Sequence, residues 1–247
     1  MKKLGYIILV LFFACNSEDA NDCFQTSGAI IQEVINVSSF ERILVNRDIE
    51  LVIKQGPDYS VIIETGKNLI NDVKVEIIGD QLVLTDNNGC NFVRDYGITK
   101  IYVTAPNLLE IRSSTQYDIS SDGVLKYANL RLFSDDFFAP GTYTSGDFRL
   151  TINSEELSIL TNNLSSQFID GSVELLRVTF ASGAGRFEGA NLIAQNVIIS
   201  HRSSNDMIVN PIQSLKGQLR GTGDLISVNE PAVVEIEQIY TGQLIIQ

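Results

Sequence analysis

The most constraining feature of the chain is a strand-and-turn pattern that returns about every twenty residues in its second half. Arg177-Val178-Thr179-Phe180, followed by Ser182-Gly183-Ala184-Gly185 and Phe187, returns as Val197-Ile198-Ile199-Ser200, then Arg202-Ser203-Ser204-Asn205 and Met207. A third copy runs through Leu219, Gly221-Thr222-Gly223-Asp224 and Leu225-Ile226, and Asp206-Met207-Ile208 matches Asp224-Leu225-Ile226. Upstream, Leu157-Ser158-Ile159 stands twenty-one residues ahead of Val178-Thr179-Phe180. A unit this short cannot bury its apolar face alone. Stacking units with equivalent strands ~4.8 Å apart gives them a shared core of Ile, Leu, Val and Phe. The pattern predicts an all-β chain whose residues 107–247 form a β-solenoid, a right-handed parallel β-helix, with Phe180 and Ile198 facing the core. An immunoglobulin-like sandwich is the alternative, but its turns would not repeat in register like this.

Residues 29–106 carry a different texture, strands and hairpins with period-two alternation, and are expected to form an N-terminal β-sheet half. Ile49, Leu51 and Ile53 alternate with Glu50, Val52 and Lys54, and Val61 and Ile63 follow the turn at Gln55-Gly56-Pro57-Asp58. Val73, Val75 and Ile77 face Leu82 and Leu84 across Gly79-Asp80, a short glycine turn suited to a hairpin. Ile and Val together number 49 against 11 Ala, a balance that favours pleated, half-buried surfaces over helices.

The N-terminus predicts export. Lys2 and Lys3 precede an unbroken apolar stretch from Leu4 to Ala14, too short at 1.5 Å per residue to span a ~30 Å hydrocarbon core. Phe12-Phe13-Ala14-Cys15 resembles a bacterial lipobox, which implies a signal peptide over 1–14, a diacylglycerol on Cys15 and a membrane partner reached through that lipid. An ordinary signal peptide with an incidental cysteine is the competing reading. Residues 15–28 then form a lipidated, acidic tether, and cleavage would deepen the net charge from −12 to −14 by removing two lysines and no acid. Ser17-Glu18-Asp19 resembles a surface-export signal, so the outer face of an outer membrane is preferred over the periplasmic face. Cys23 and Cys90 remain, an even number in an oxidising compartment, where a disulfide is expected and two free thiols are the alternative.

Residue types narrow the chemistry further. One His, three Cys and no Trp leave no material for a multi-His or multi-Cys metal site, haem or an iron–sulfur cluster, and no cofactor is expected. The net charge of −12 disfavours nucleic acid and anionic lipid. Gly183-Ala184-Gly185 and Gly221-Thr222-Gly223 open no helix, so they read as tight corners needing positive φ rather than phosphate loops. His201, Ser203 or Ser204, and Asp206 have the residue types of a triad but stand too close on one turn to converge, and His201 reads as a solvent-facing turn residue. Asp135 and Asp136, with Asp118 and Asp122 about one rung earlier, are the one acid group that stacking could bring together as a glycosidase-like pair; solvated turns are the simpler reading. Tyr117, Tyr127, Phe133, Phe137, Phe138 and Tyr143 read as an internal aromatic ladder, with outward stacking on sugar or protein as the alternative.

Phe40-Glu41-Arg42-Ile43, Ile49 through Gln55-Gly56, Asn68-Leu69-Ile70, Ala105-Pro106-Asn107-Leu108, Ser182-Gly183-Ala184-Gly185 and Leu215-Lys216-Gly217 through Gly223-Asp224-Leu225-Ile226 resemble the head GIN domain family over about residues 30–247. Ser203-Ser204-Asn205 departs from the Gly-Ser-Gly expected there. The resemblance implies a β-helical fold and an envelope location, with an adhesin role assigned by analogy. The resulting expectation is a noncatalytic, lipid-anchored envelope adhesin or scaffold with a glycan or surface-protein ligand; a carbohydrate-binding or polysaccharide-degrading module is the alternative.

Overall fold

The computed structural model describes residues 22–137 and 141–247. The expected signal peptide, the lipid site Cys15, tether residues 16–21 and Phe138 lie outside the described residues. The fold is all-β: among the described residues there is no α-helix, only 3-10 turns at Asp22–Phe24 and Ile70–Asp72.

The first nine strands are short: β1 (Ile30–Ile35), β2 (Arg42–Val45), β3 (Glu50–Gln55), β4 (Ser60–Gly66), β5 (Val73–Ile78), β6 (Gln81–Asp86), β7 (Lys100–Ala105), β8 (Glu110–Ser113) and β9 (Ile119–Leu125). Strands β5 and β6 make the antiparallel hairpin across Gly79-Asp80, with Val75 opposite Leu84 and Ile77 opposite Leu82. Strand β4 is antiparallel to both β1 and β7. From there the pairing turns parallel, β6–β2–β8 on one side and β7–β3–β9 on the other.

The remaining strands are β10 (Asn129–Ser134), β11 (Phe148–Thr161), β12 (Gln167–Phe180), β13 (Phe187–His201), β14 (Met207–Leu219), β15 (Leu225–Ser227), β16 (Val233–Gln238) and β17 (Leu244–Ile246). Strands β11 to β14 lie parallel, each beside the next. Their first halves continue the β9 side and lead to β15 and β17; their second halves continue the β10 side and lead to β16. Each long strand thus crosses between two runs of strands, and the register slips at the crossing, between Phe168 and Gly171 and between Glu188 and Ile193. Such bulges bend a strand without ending it.

Alternate residues of both runs point inward and fill one core. Leu51, Ile53, Ile101, Val103, Leu157, Leu176, Val197 and Leu215 are all fully buried. Burying an aliphatic side chain of this size contributes ~1.5–3 kcal/mol, so the stacked columns supply the stability that single strands lack.

The repeat register differs from the sequence expectation. Gln167 pairs with Phe187, twenty residues on, but past the bulge Val178 pairs with Ile199 and Phe180 with His201, twenty-one on. Phe180 is buried, whereas Ile198 sits outward, half-buried between Arg177 and Lys216, and Val197 and Ile199 take the core positions. Leu157 likewise faces Leu176 rather than Val178. The expected aromatic ladder is absent as well: of the five described aromatics Tyr127 is buried, its hydroxyl donating to the Ala105 carbonyl at 3.1 Å, while Phe137 and Tyr143 are exposed and Tyr117 and Phe133 are half-buried.

The corner glycines serve close approach more than positive φ. Of the two expected loops only Gly183 has positive φ, at 91°. A Cβ on Gly185 would stand 2.4 Å from the Ser165 carbonyl oxygen, and one on Gly221 would stand 2.3 Å from that of Ser203. Between them, the buried Ser165 and Ser203 hydroxyls donate to the carbonyls of Gly146 at 2.6 Å and Gly185 at 2.7 Å. Backbone packs on backbone at this corner, and small hydroxyl side chains satisfy the leftover acceptors.

Candidate functional site

The long outward face on the β10 side is a set of in-register columns. One column runs Arg42, Glu110, Arg131, Ser158, Arg177, Ile198, Lys216 and Glu235 through successive parallel pairs. Its charges are matched by neighbours: Arg42 with Asp80, Arg131 with Glu110 at 3.5 Å, Arg177 with Glu156 at 3.1 Å, and Lys216 with Glu235 at 3.0 Å. Spaced one strand apart, these groups make a long surface of paired opposite charges, with open concavities at Arg131–Ser158 and at Lys216–Glu235.

The four acids singled out from the sequence do not meet one another. Asp118 pairs with Arg149 at 2.6 Å and Asp122 with Lys54 at 2.8 Å. Asp136 accepts from the Asn162 amide at 2.6 Å. Asp135 is not a solvated turn residue: it is fully buried, and one oxygen accepts from Arg112 at 2.8 Å. The Arg112 guanidinium lies 4.6 Å from the centroid of the Phe133 ring, which fixes its approach. A carboxylate committed to an arginine in this way is a structural anchor, since losing either partner leaves a buried charge alone.

His201 also departs from its expected place. It ends β13 in the inward column Phe180–His201–Leu219, fully buried, with its ring centroid 6.1 Å from that of Phe180. Neither ring nitrogen has a hydrogen-bond partner of ordinary geometry among the described residues. Burial holds its pKa below the usual histidine range, against weaker upward pulls from the Asn205 backbone, Asp206 and Asp224. The hydroxyls nearby are occupied elsewhere, Ser203 on Gly185 and Ser204 on the Gly183 carbonyl at 3.2 Å, so the triad residue types hold the corner instead of converging.

A surface feature absent from the sequence reading lies on the other side. Tyr102 on β7 sits outward between Ile62 of β4 and Val52 of β3. Together with Gln32, Lys54 and Asp122 they line an open groove of about 240 Å³. The Lys54–Asp122 ion pair lies on its wall, and the Tyr102 hydroxyl donates to Glu64 at 3.4 Å. The signal was the alternation of Lys100, Tyr102 and Thr104 with buried Ile101 and Val103. An aromatic face flanked by amide, ammonium and carboxylate can stack on a sugar ring and bind its hydroxyls.

Cys23 and Cys90 are bonded in the structure, their Cα atoms 4.5 Å apart across a sequence separation of 67. The bond ties the start of the described chain to the loop between β6 and β7.

The sequence profile of a family described as "Putative auto-transporter adhesin, head GIN domain" matches residues 39–231. Among solved structures, one described as a "putative adhesin" from Bacteroides fragilis is similar with a TM-score of 0.79 at 18% identity, covering 90% of this chain and 99% of that one. A "putative adhesin" from Parabacteroides distasonis is similar with a TM-score of 0.63 at 15% identity, covering 90% and 99%. A "Putative lipid binding protein" from the same species is similar with a TM-score of 0.62 at 15% identity, covering 89% and 97%. At these identities the likeness concerns the fold. No curated protein matches the chain.

Proposed function

The chain belongs to the head GIN domain family, and from that premise we propose that it is a noncatalytic, lipid-anchored envelope protein that presents a long, rigid face for adhesion or scaffolding. The single observation that carries this reading is the outward column from Arg42 to Glu235, in which each cation has an acidic neighbour and none is left over as a reactive centre. A surface of that kind offers a partner an extended pattern of charge. The parallel pairing of β11 to β14 near twenty-residue spacing supports a right-handed β-helix as the frame. Lys2, Lys3, the apolar run to Ala14 and Cys15 support a lipidated N-terminus. The acidic Ser17-Glu18-Asp19 supports the outer face of an outer membrane.

The anchor is tested by fractionation. Cys15→Ala should move the protein from membrane to soluble fractions, because it removes the thiol that would carry the lipid. Unchanged membrane recovery after a high-salt wash overturns the lipid anchor. The surface role is tested by adhesion of cells expressing the protein to glycan and protein arrays. Polysaccharide turnover by the purified wild type overturns the noncatalytic reading.

The groove at Tyr102 supports a second reading, a carbohydrate-binding module. Glycan binding lost on Tyr102→Ala and kept on Arg177→Ala would favour it over the charged face.

A further inference from the structure

Four apolar side chains stand exposed around the disulfide: Phe24 at 56%, Phe92 at 72%, Val93 at 45% and Tyr96 at 76% of their full accessibility. They are not loose. The Phe92 amide donates to the Cys23 carbonyl at 3.0 Å, and the Phe24 and Phe92 ring centroids lie 5.8 Å apart. The Asn91 side chain accepts from the amides of Val93 at 3.2 Å and Arg94 at 2.9 Å, and donates to the Arg94 carbonyl at 2.6 Å. The Tyr96 hydroxyl donates to the Asn91 carbonyl at 3.2 Å, and Arg94 reaches the Gln25 carbonyl at 3.2 Å. A covalent bond and a closed set of hydrogen bonds therefore hold two phenyl rings and a phenol in water, where each forgoes its burial energy. A rigid exposed aromatic cluster of this kind fits a partner surface and orders little on binding.

The chain itself points to the occupant. Cys23 stands eight residues after Cys15, a span of at most ~29 Å even when fully extended. With a lipid on Cys15, the cluster cannot leave the neighbourhood of the bilayer. Aromatic side chains favour the headgroup boundary, with the phenol kept wet and the phenyl rings buried. The cluster is also at the correct end, since the β6–β7 loop lies eight strand steps, ~38 Å, from β16 along the paired strands.

We propose that Phe24, Phe92, Val93 and Tyr96 form an interfacial docking patch that seats the disulfide-bonded end of the protein on the same bilayer that holds Cys15. The proposal rests on the lipid-anchor reading, and its test separates the two. The chain has no Trp, so an indole introduced by Phe92→Trp reports without background. The full lipidated protein carrying this change is reconstituted into phosphatidylcholine vesicles, with Tyr240→Trp as a second variant at the far end. The expected result is a blue-shifted emission and about a twofold quenching by brominated phosphatidylcholine at position 92, with no quenching at 240, because interfacial aromatics sit at the acyl boundary. Co-sedimentation with vesicles but solvent-like, unquenched emission at 92 overturns the patch and leaves the anchor standing. Failure to co-sediment at all overturns the anchor and the patch together. Adding Phe24→Ser to Phe92→Trp should weaken the quenching without changing co-sedimentation, and unchanged quenching would remove Phe24 from the patch.

Discussion

The two halves of the molecule reach one continuous network by different routes. Strands β1 to β7 are short, include antiparallel pairs, and are cross-linked by Cys23–Cys90. Strands β11 to β14 are two to three times as long, purely parallel, and lie where no cysteine can help. The first half draws on local hairpins and a covalent staple, and the second on repetition, each strand serving as template for the next. Damage should therefore stay local in the first half and propagate along the stack in the second.

The largest effect expected from breaking this contrast is in the stack. Phe180→Asp should cost several kcal/mol and block folding, because it buries an unpaired carboxylate between strands. Ile198→Asp, one column away and facing outward, should leave a folded protein with thermal unfolding lowered by only a few degrees. Equal outcomes for the two variants would mean that the register is wrong. Next comes the staple. Cys23→Ser should lower stability by about 2–5 kcal/mol, with the loss concentrated in hydrogen-exchange protection of β1, β5 and β6 rather than β12 to β14. Uniform loss of protection across both halves would erase the distinction.

A smaller effect distinguishes the stack by pH. The folded pKa of His201 lies below its unfolded value of ~6.5, so the unfolded chain binds the proton first on acidification. Proton linkage therefore adds no penalty above about pH 6.5, and stability falls as pH drops from there toward the folded pKa. His201→Leu should flatten the dependence of the melting temperature on pH between 7 and 5, and should raise stability by the ~1–3 kcal/mol otherwise spent on unpartnered ring nitrogens. A parallel pH profile in both proteins would show that His201 is not the titrating group. Smallest of all, Arg177→Ala should change stability by no more than ~0.5 kcal/mol, since its pair with Glu156 is exposed, and chemical denaturation would resolve anything larger.

Much of this contrast was legible in the residues. Alternation at Ile49, Leu51 and Ile53 and the glycine turn at Gly79 gave β3 and the β5–β6 hairpin directly, because a half-buried strand must alternate. The spacing of the repeat was legible too, but not its phase. Gln167 and Phe187 align at twenty residues, yet a bulge at the crossing of β12 with β13 adds one residue and leaves Phe180 opposite His201. No local signal carries that slip, and it turned Ile198 outward and hid His201 in the core. Asp135 was misread for a similar reason, as its partner Arg112 comes from two strands earlier. The cluster at Phe24, Phe92 and Tyr96 was overlooked because its segment has no periodicity; its signal was three aromatics flanking two cysteines.

The disulfide also decides how the protein bears tension. A pull on the chain ahead of Cys23 enters the fold through two covalent paths at once, the backbone toward β1 and the bridge to Cys90. Strands β1 to β6 lie inside the enclosed loop and cannot be drawn out while the bridge holds. The 67 residues of separation then withhold up to ~240 Å of extension from the pulled chain. Force instead passes to the β7 side and into the long parallel strands, so an oxidised molecule is a short, stiff mechanical link and a reduced one a long, compliant spring.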